Sequence, residues 1–527
     1  MDEKFLPLGI QDFQDMIERN FIYVDKTKDI HELVRAPKAF YFLSRPRRFG
    51  KSLLVSTLGY LFEGRQDLFK GLWIAEQTNW QWENHPVVKV DFNGINSKTP
   101  SLLEKSLENL VIAIGKKYQI SLQSIMIPDS FVELIIKLQE KYRKDVIVLI
   151  DEYDKPLINH LGKSENDLKI AKENRDVLKQ FFGVLKEQDV SGALRMVFIT
   201  GVSRFSRVSI FSDLNNLDDL SMQPQFSGML GYTEDEMEKY FQYYIRKISG
   251  TQTIPYEQCK DQLQTWYNGY QFTHKGKKVY NPFSVLNALK KAEFKNYWFE
   301  TGTPSFLVNL IKENNYPIPE IENLNLHEHS FTTYDLDNLR LEALLFQTGY
   351  ITIKKFDGIF YSLGYPNQEV KTSFTDYIYS SLVEIRSPSL KDRYRLIAVF
   401  LQQQKIEEFI DVVNSILASI PYTHIARQDE SYYHTIFYLM VSAAGVLVQT
   451  EVLTSIGRID IAAEFPDKVY IIELKCNQTA DQAIKQIKEK KYSNKYKALD
   501  RDIYLIGINF DTSERAVTDW KLEKIAK

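Results

Sequence analysis

The string SRPRRFGKSLL, Ser44–Leu54, closes with Gly50-Lys51-Ser52. It follows a short apolar run and precedes leucines at helical spacing, the setting of a phosphate-binding loop GxxxxGK[ST]. In such a loop, backbone N–H groups at a helix N-terminus point at phosphate oxygens. Arg47, Arg48, Phe49, Gly50 and Leu53 would form the cradle and first helical turn. Lys51 would meet the β- and γ-phosphates of ATP, and Ser52 would offer its hydroxyl to Mg²⁺. The pattern departs at its first glycine, where Arg45 stands, so the loop is stiff and unusually basic.

A second string, VIVLIDEYD, ends a hydrophobic strand in Asp151-Glu152. Asp151 at a strand end can hold a Mg²⁺ shell, and Glu152 can polarise a water for attack. The paired acid favours hydrolysis over transfer to a second substrate, which speaks against a small-molecule kinase. A further strand ends at Thr200-Gly201, which puts Thr200 beside the γ-phosphate. Arg204 or Arg207 could reach a phosphate from the same chain or across a subunit boundary; a solvated loop is the plain alternative.

A third constellation lies near the C-terminus, in GRIDIAAEFPDKVYIIELK, Gly457–Lys475. Glu473 and Lys475 are two apart on one strand and therefore share a face. An antiparallel neighbour brings Asp460 onto that face. Two carboxylates suit Mg²⁺, which keeps waters for chemistry, and a lysine beside them can stabilise a phosphate under attack. The apolar VYII before the acid marks a core strand, where an unpartnered Glu and Lys would be costly. Gln486, on the helix that follows, faces the same place, with Tyr492 nearby. His434 reads as an ordinary helix residue. Six lysines between Lys485 and Lys497 form either a solvated helix face or a phosphate-tracking edge.

The strings LPLGIQDFQDMIERNFIYVDKT, FLSRPRRFGKSLL, VLIDEYDKPL, FITGVSRFS, WYNGYQF, VYNPFSVL and YWFETGTPSFL occur in that order. In this the chain resembles the bacterial family of AAA-ATPase-like proteins with a C-terminal PD-(D/E)XK nuclease domain, over essentially its whole length. A non-glycine at the Arg45 position resembles the family's own habit. The resemblance implies ATP-site roles for Lys51, Ser52, Asp151 and Glu152. Tyr23, Asp25 and Lys26 match a family string, with adenine-side packing or plain structure both open. Asp460, Glu473, Lys475 and Gln486 match positions of the PD-(D/E)XK superfamily. That superfamily usually adds an acid from the preceding helix: Glu430 is the first choice as a further metal ligand, Glu451 its rival.

These residues need elements to hold them. Near-continuous apolar runs at 39–43, 87–92, 146–150 and 195–200 suit strands of a parallel sheet covered on both faces. Leu54, Leu58 and Leu61 predict a helix after the first. From about Gly228 to Leu310 the pattern is helical and aromatic. Trp266, Tyr267, Gly269 and Tyr270 read as lid packing, and Asn281 as a helix cap. Residues 334–382 read as helix, hairpin, helix, with Asp357-Gly358 as a two-residue turn. Helices follow from 391 to 417. The end reads helix 432–444, strands 446–453, 458–463 and 469–475, helix 478–492 and strand 502–508. The fold expected is α/β multidomain: a P-loop NTPase (ASCE/AAA-like) parallel sheet at 1–227, a helical lid at 228–330, a winged-helix-like unit at 331–385, and a helical lead-in with a PD-(D/E)XK αβ nuclease fold at 386–527.

At 527 residues the chain is too long for one core. Its formal charge of −3 excludes a wholesale polyanion-binding surface and leaves only local patches. Two distant cysteines, Cys259 and Cys476, suggest neither a disulfide framework nor a cysteine metal cluster. The composition holds no signal-peptide pattern or membrane-length apolar run, so a cytoplasmic protein without lipid or membrane partners is expected. The function expected is ATP hydrolysis regulating a metal-dependent DNA nuclease, with DNA as partner and a homo-oligomer as one expected state. The alternative is an ATP-dependent, STAND-like switch whose nuclease-like domain only binds nucleic acid or a partner.

Overall fold

The structure is a computed structural model. It describes residues 4–204, 216–298, 307, 310–311, 316, 318–332, 336, 340–382, 395–420, 430–453, 458–497 and 501–525, with only the backbone described at 382, 431, 451–453 and 458–459. The chain divides into two compact units, one of 1–310 with 326–362, the other of 311–325 with 363–527. One boundary, 362/363, falls within the segment expected as a winged-helix-like unit, and the other two, 310/311 and 325/326, within the segment expected as a lid.

The first unit is built on strands β1 (Ala39–Ser44), β2 (Val87–Asp91), β3 (Val146–Asp151), β4 (Leu194–Gly201) and the short β5 (Asp218–Asp219), in the order β2-β3-β4-β1-β5. All pairings are parallel. Every residue of β3 is buried, as the unbroken apolar run requires of a strand covered on both faces. β4 lies between the strand that leads into GKS and the strand that ends in Asp-Glu, so all three C-terminal ends converge. The helix Lys51–Phe62 begins directly after Gly50, and its Leu54, Leu58 and Leu61 are buried.

Helices Glu234–Gln252, Tyr256–Tyr267 and Pro282–Lys291 share a core in which Phe241, Ile248, Leu263, Tyr267 and Val285 pack with Ile22 and Val24 of the N-terminal segment. A reciprocal capping box of Thr233 and Glu236 starts the first of these helices. Asn281 caps the third, its side chain accepting from the Ser284 N–H at 3.2 Å.

A three-stranded sheet has the order β6 (Leu324–Leu326), β8 (Tyr361–Gly364), β7 (Thr352–Phe356). The expected hairpin is present with its tip one residue later. Asp357 and Phe360 pair through the backbone, and Gly358-Ile359 are the central residues. The Asp357 carboxylate accepts from the Ile359 and Phe360 N–H groups, which favours this register.

In the second unit the helices Gln368–Leu382, Arg395–Gln402, Ile406–Ser419 and Glu430–Ala443 accompany a five-stranded sheet. Its strands are β9 (Leu447–Leu453), β10 (Arg458–Glu464), β11 (Lys468–Cys476), β12 (Asp502–Asp511) and β13 (Ala516–Lys524), in the order β13-β12-β11-β10-β9. β11 and β12 run parallel, the other pairs antiparallel. The crossover helix Ala480–Glu489 is shorter than the lysine-rich pattern suggested. β13 was not expected: most of its residues are polar and partly exposed, as an edge strand's are.

Candidate functional site

In each unit the strand-end acids of the sequence strings lie beside a lysine. In the first, Gly50 adopts φ +94°, a backbone conformation that glycine takes without strain. This turn lets Lys51 start the helix with its side chain folded back along the loop. Its Nζ donates to the carbonyls of Arg45 at 3.2 Å and Pro46 at 3.3 Å, and lies 3.6 Å from Glu152 Oε1. The Ser52 hydroxyl interacts with the Asp151 carboxylate, whose Oδ1 is buried with no hydrogen-bond partner among the described residues. Burial pushes the Asp151 carboxyl up to about 6; Ser52 opposes the shift and the Glu152 charge adds to it. Glu152 itself sits at φ +55°, a conformation that costs a non-glycine residue about 1–3 kcal/mol and is found where function holds it.

Lys51, Ser52 and Glu152 line a cavity of about 590 Å³. Arg47, Arg48, Phe49, Gly50 and Leu53 line it too, so the loop presents its own residues to the space. The far wall is apolar, with Ile10, Met16, Ile22, Tyr23, Val24 and Phe283. Of the family string 23–26, Tyr23 and Lys26 reach this wall. Lys26 is bound to Glu236 at 2.6 Å and to the Gly228 carbonyl at 2.7 Å. Asp25 turns away to accept from Thr27 and from the Trp73 N–H.

Asp151 does not line the cavity, and three further residues point elsewhere. Thr200 is buried and donates to the Leu43 carbonyl at 2.6 Å, stitching β4 to β1. Arg204 is paired with Asp219 at 2.7 Å. Arg45 is 2 % exposed; its guanidinium donates to the carbonyls of Ser44 and Ser221 and stacks 4.1 Å over the Phe272 ring. The loop is therefore less basic toward the cavity than its composition suggests. Arg207 lies outside the described residues. The aromatic string WYNGYQF grips the loop: Phe49 meets Tyr270 and Phe272 edge-on at 4.9 and 5.6 Å.

Asp154, the last residue of VIVLIDEYD, has no role assigned by the sequence pattern. It is buried, and its Oδ2 accepts from the Val202 and Ser203 N–H groups at 3.0 and 2.6 Å. It ties the turn after β3 to the turn after β4. Its signal was only its position in DEYD, since a carboxylate bound by backbone N–H groups leaves no pattern in a sequence.

In the second unit, the β10–β11 register pairs Ile461 with Ile472, and Asp460 and Glu473 lie next along the two strands. Asp460 Oδ2 accepts from the Leu474 N–H at 2.9 Å. Glu473 is fully buried. Its Oε1 receives Lys475 Nζ at 3.3 Å and the Gln486 amide; its Oε2 has no hydrogen-bond partner among the described residues. Burial pushes the Glu473 carboxyl up to about 8, with the charges of Asp460 and Glu430 adding and Lys475 opposing. Glu430 opens the helix Glu430–Ala443 and is exposed. His434, one turn on, places Nε2 3.3 Å from the Asp460 carbonyl. The side chain of Glu451 lies outside those described.

The donors of both sites suit Mg²⁺. Each has a buried carboxylate oxygen without a partner, which a divalent cation would satisfy. Among the described residues no three His, Cys, Asp or Glu side chains gather at metal-binding spacing, so either site would complete its shell with water and phosphate oxygen.

A parallel sheet with GKS and Asp-Glu at strand ends flanking one intervening strand defines a P-loop nucleotide-binding domain. A mixed sheet carrying Asp…Glu-x-Lys defines a PD-(D/E)XK domain. The family model described as predicted AAA-ATPase matches residues 7–211, and that of the PD-(D/E)XK nuclease superfamily matches 428–520. A protein of Azotobacter chroococcum mcd 1, described as an uncharacterized protein in the vnfD 5′ region, is 36% identical over 537 residues, covering 100% of both chains. The chain belongs to the AAA-ATPase-like family and carries a C-terminal domain of the PD-(D/E)XK nuclease superfamily. Among solved structures, that of Drosophila ORC bound to DNA matches with 8% identity and a TM-score of 0.27, covering 88% of this chain and 85% of that one; a likeness at that level carries no argument. Among the described residues no helix is long and apolar enough to cross a membrane.

Proposed function

We propose that this protein hydrolyses ATP in the cavity at Lys51 and uses the nucleotide state to regulate a DNA nuclease centred on Glu473. The carrying observation is the pair of buried carboxylates, Asp151 and Glu473, each with an unsatisfied oxygen and a lysine charge near it, and each in the strand position its family string implies.

At the first site, Lys51 and the loop N–H groups hold the phosphates, while the apolar wall of Ile22, Tyr23 and Phe283 takes the base. Glu152, aimed into the cavity by its left-handed backbone, receives a proton from the attacking water. Asp154 keeps the turn after β4 in register with Glu152. Arg204 acts on phosphate only if it leaves Asp219, so its contribution belongs to a second state. At the other site, Asp460 and Glu473 supply cation ligands, with Glu430 the proposed third, Lys475 stabilises charge on the scissile phosphate, and Gln486 orients Glu473. Mg²⁺, when bound at either site, supplies Lewis-acid polarisation of phosphate oxygen.

The proposed division of labour is an ATPase core at 1–227, a helical lid at 228–330, a winged-helix-like unit at 331–385 and the nuclease region at 386–527. Purified protein incubated with plasmid and linear DNA, Mg²⁺ or Mn²⁺, with and without ATP, tests it. Wild type should cleave and Lys475→Ala should not; equal degradation by both would remove the nuclease reading.

A further inference from the structure

The β7–β8 hairpin ends in an apolar tip that faces solvent. Ile359 is 64% exposed, Phe360 39% and Phe356 37%. A contiguous group of large apolar side chains at a loop tip marks a contact surface rather than a packing error. Beside it runs the turn 271–278, tied to β7 where the Gln271 N–H donates to Thr352 Oγ1 at 2.7 Å and the Ile353 N–H donates to the Gln271 carbonyl at 3.3 Å.

Lysines border this tip on both segments. Lys275 and Lys278 on the turn and Lys355 on β7 are exposed, while Lys277 lies toward Asp29 and Lys26, which feel its charge. Lys275, Lys278 and Lys355 make no salt bridge among the described residues. Burial of the Lys354 ammonium around the stem, and next the charge of Lys278, bring Lys354 down to about 8. The nearby acids are engaged elsewhere: Asp357 accepts from the N–H groups of its own turn, and Glu328 accepts from Tyr361 at 2.8 Å. Rings surround the tip, with Tyr361 buried beneath the others. His274 is 4.6 Å from Phe356, Phe356 4.4 Å from Tyr361, and Phe360 4.4 Å from His327.

We propose that this surface binds single-stranded DNA. Lysines along one edge meet successive phosphates, and the rings and tip take unstacked bases, the two ingredients of a sequence-tolerant single-strand site. A duplex keeps its bases stacked and offers the rings nothing, so the aromatics select the single strand. The choice of DNA as the polyanion rests on the nuclease reading.

Fluorescence anisotropy with a labelled single-stranded oligonucleotide, in EDTA so that no cleavage occurs, decides the matter. A duplex of equal length and phosphatidylserine vesicles serve as further arms. Combining Lys275→Glu, Lys278→Glu and Lys355→Glu should weaken single-strand binding at least about tenfold. It should also lower the slope of log affinity against log salt by about 2, at roughly 0.7 per phosphate contact. Phe360→Ala with Ile359→Ser should weaken binding about tenfold with the slope unchanged. ATP hydrolysis should be unaltered in both. Should the charge reversal impair hydrolysis, the triple Lys→Gln variant decides on the same threshold. Affinity within about twofold of wild type, tighter binding of the duplex, or a defect confined to vesicles overturns the proposal. Cleavage that persists in Lys475→Ala would remove the nuclease reading but leave these binding results standing.

Discussion

Lys51→Ala removes a buried ammonium held by two carbonyls and facing Glu152 at 3.6 Å. Charge-assisted hydrogen bonds contribute up to about 3 kcal/mol, so ATP affinity should fall about 100-fold, read by equilibrium titration. Glu152→Gln keeps the shape and loses the base. It should bind ATP nearly as wild type while turnover drops by about 10²–10⁴; a variant that hydrolyses normally would remove Glu152 from the mechanism. In the other unit, Gln486→Ala should reduce cleavage less than Lys475→Ala, because Gln486 acts through Glu473 rather than on phosphate. Paired cleavage rates at saturating metal check that order.

At the scale of elements, Gly349 ends the helix Leu341–Thr348 at φ +91°, and a Cβ there would lie 2.8 Å from Pro46 of the phosphate loop. Gly349→Ala should therefore cost about 1–3 kcal/mol and raise the KM for ATP, measured by denaturant melts and initial rates. Glu133, on the helix Asp129–Tyr142, holds the preceding loop by accepting from the N–H groups of Gln123 and Ser124 at 2.9 Å. Lys137 first, then these bonds, pull its carboxyl down to about 2 from an ordinary 4.5. A depressed carboxylate contributes stability that is complete above its unfolded pKa and is lost as pH falls through the folded one. The deficit of Glu133→Gln relative to wild type should be full at pH 6 and shrink between pH 4.5 and about 2, followed by thermal melts at matched pH.

For the molecule as a whole, a ligand that binds only the folded cavity stabilises it by mass action, about 2.7 kcal/mol at one hundred times its Kd. ATP should raise the melting transition of the unit that holds the cavity in wild type and not in Lys51→Ala, seen by calorimetry. If the nucleotide regulates cleavage, wild-type cleavage should change with ATP while Lys51→Ala cleaves at one rate with or without it. An identical ATP response in both proteins would separate the two activities.

The β1–β4 strands, the helix after GKS and the helix–strand order of the C-terminal domain were legible because continuous apolar runs and glycine turns are local properties. So were Lys51, Asp151, Glu473 and Lys475, whose spacing along a strand or loop already dictates a shared face. The direction of a long side chain is not local. Arg45 turned into the interior over Phe272, Arg204 paired with Asp219, and Asp154 became the clasp between two turns. β13 escaped notice because an edge strand carries a polar pattern, and its place depends on the hydrogen-bonding rim that β12 leaves open. Composition and period determine which segments pack; which buried charge meets which partner is decided only when distant segments close around it, since the cost of burial must be met by whatever donor the assembled fold provides.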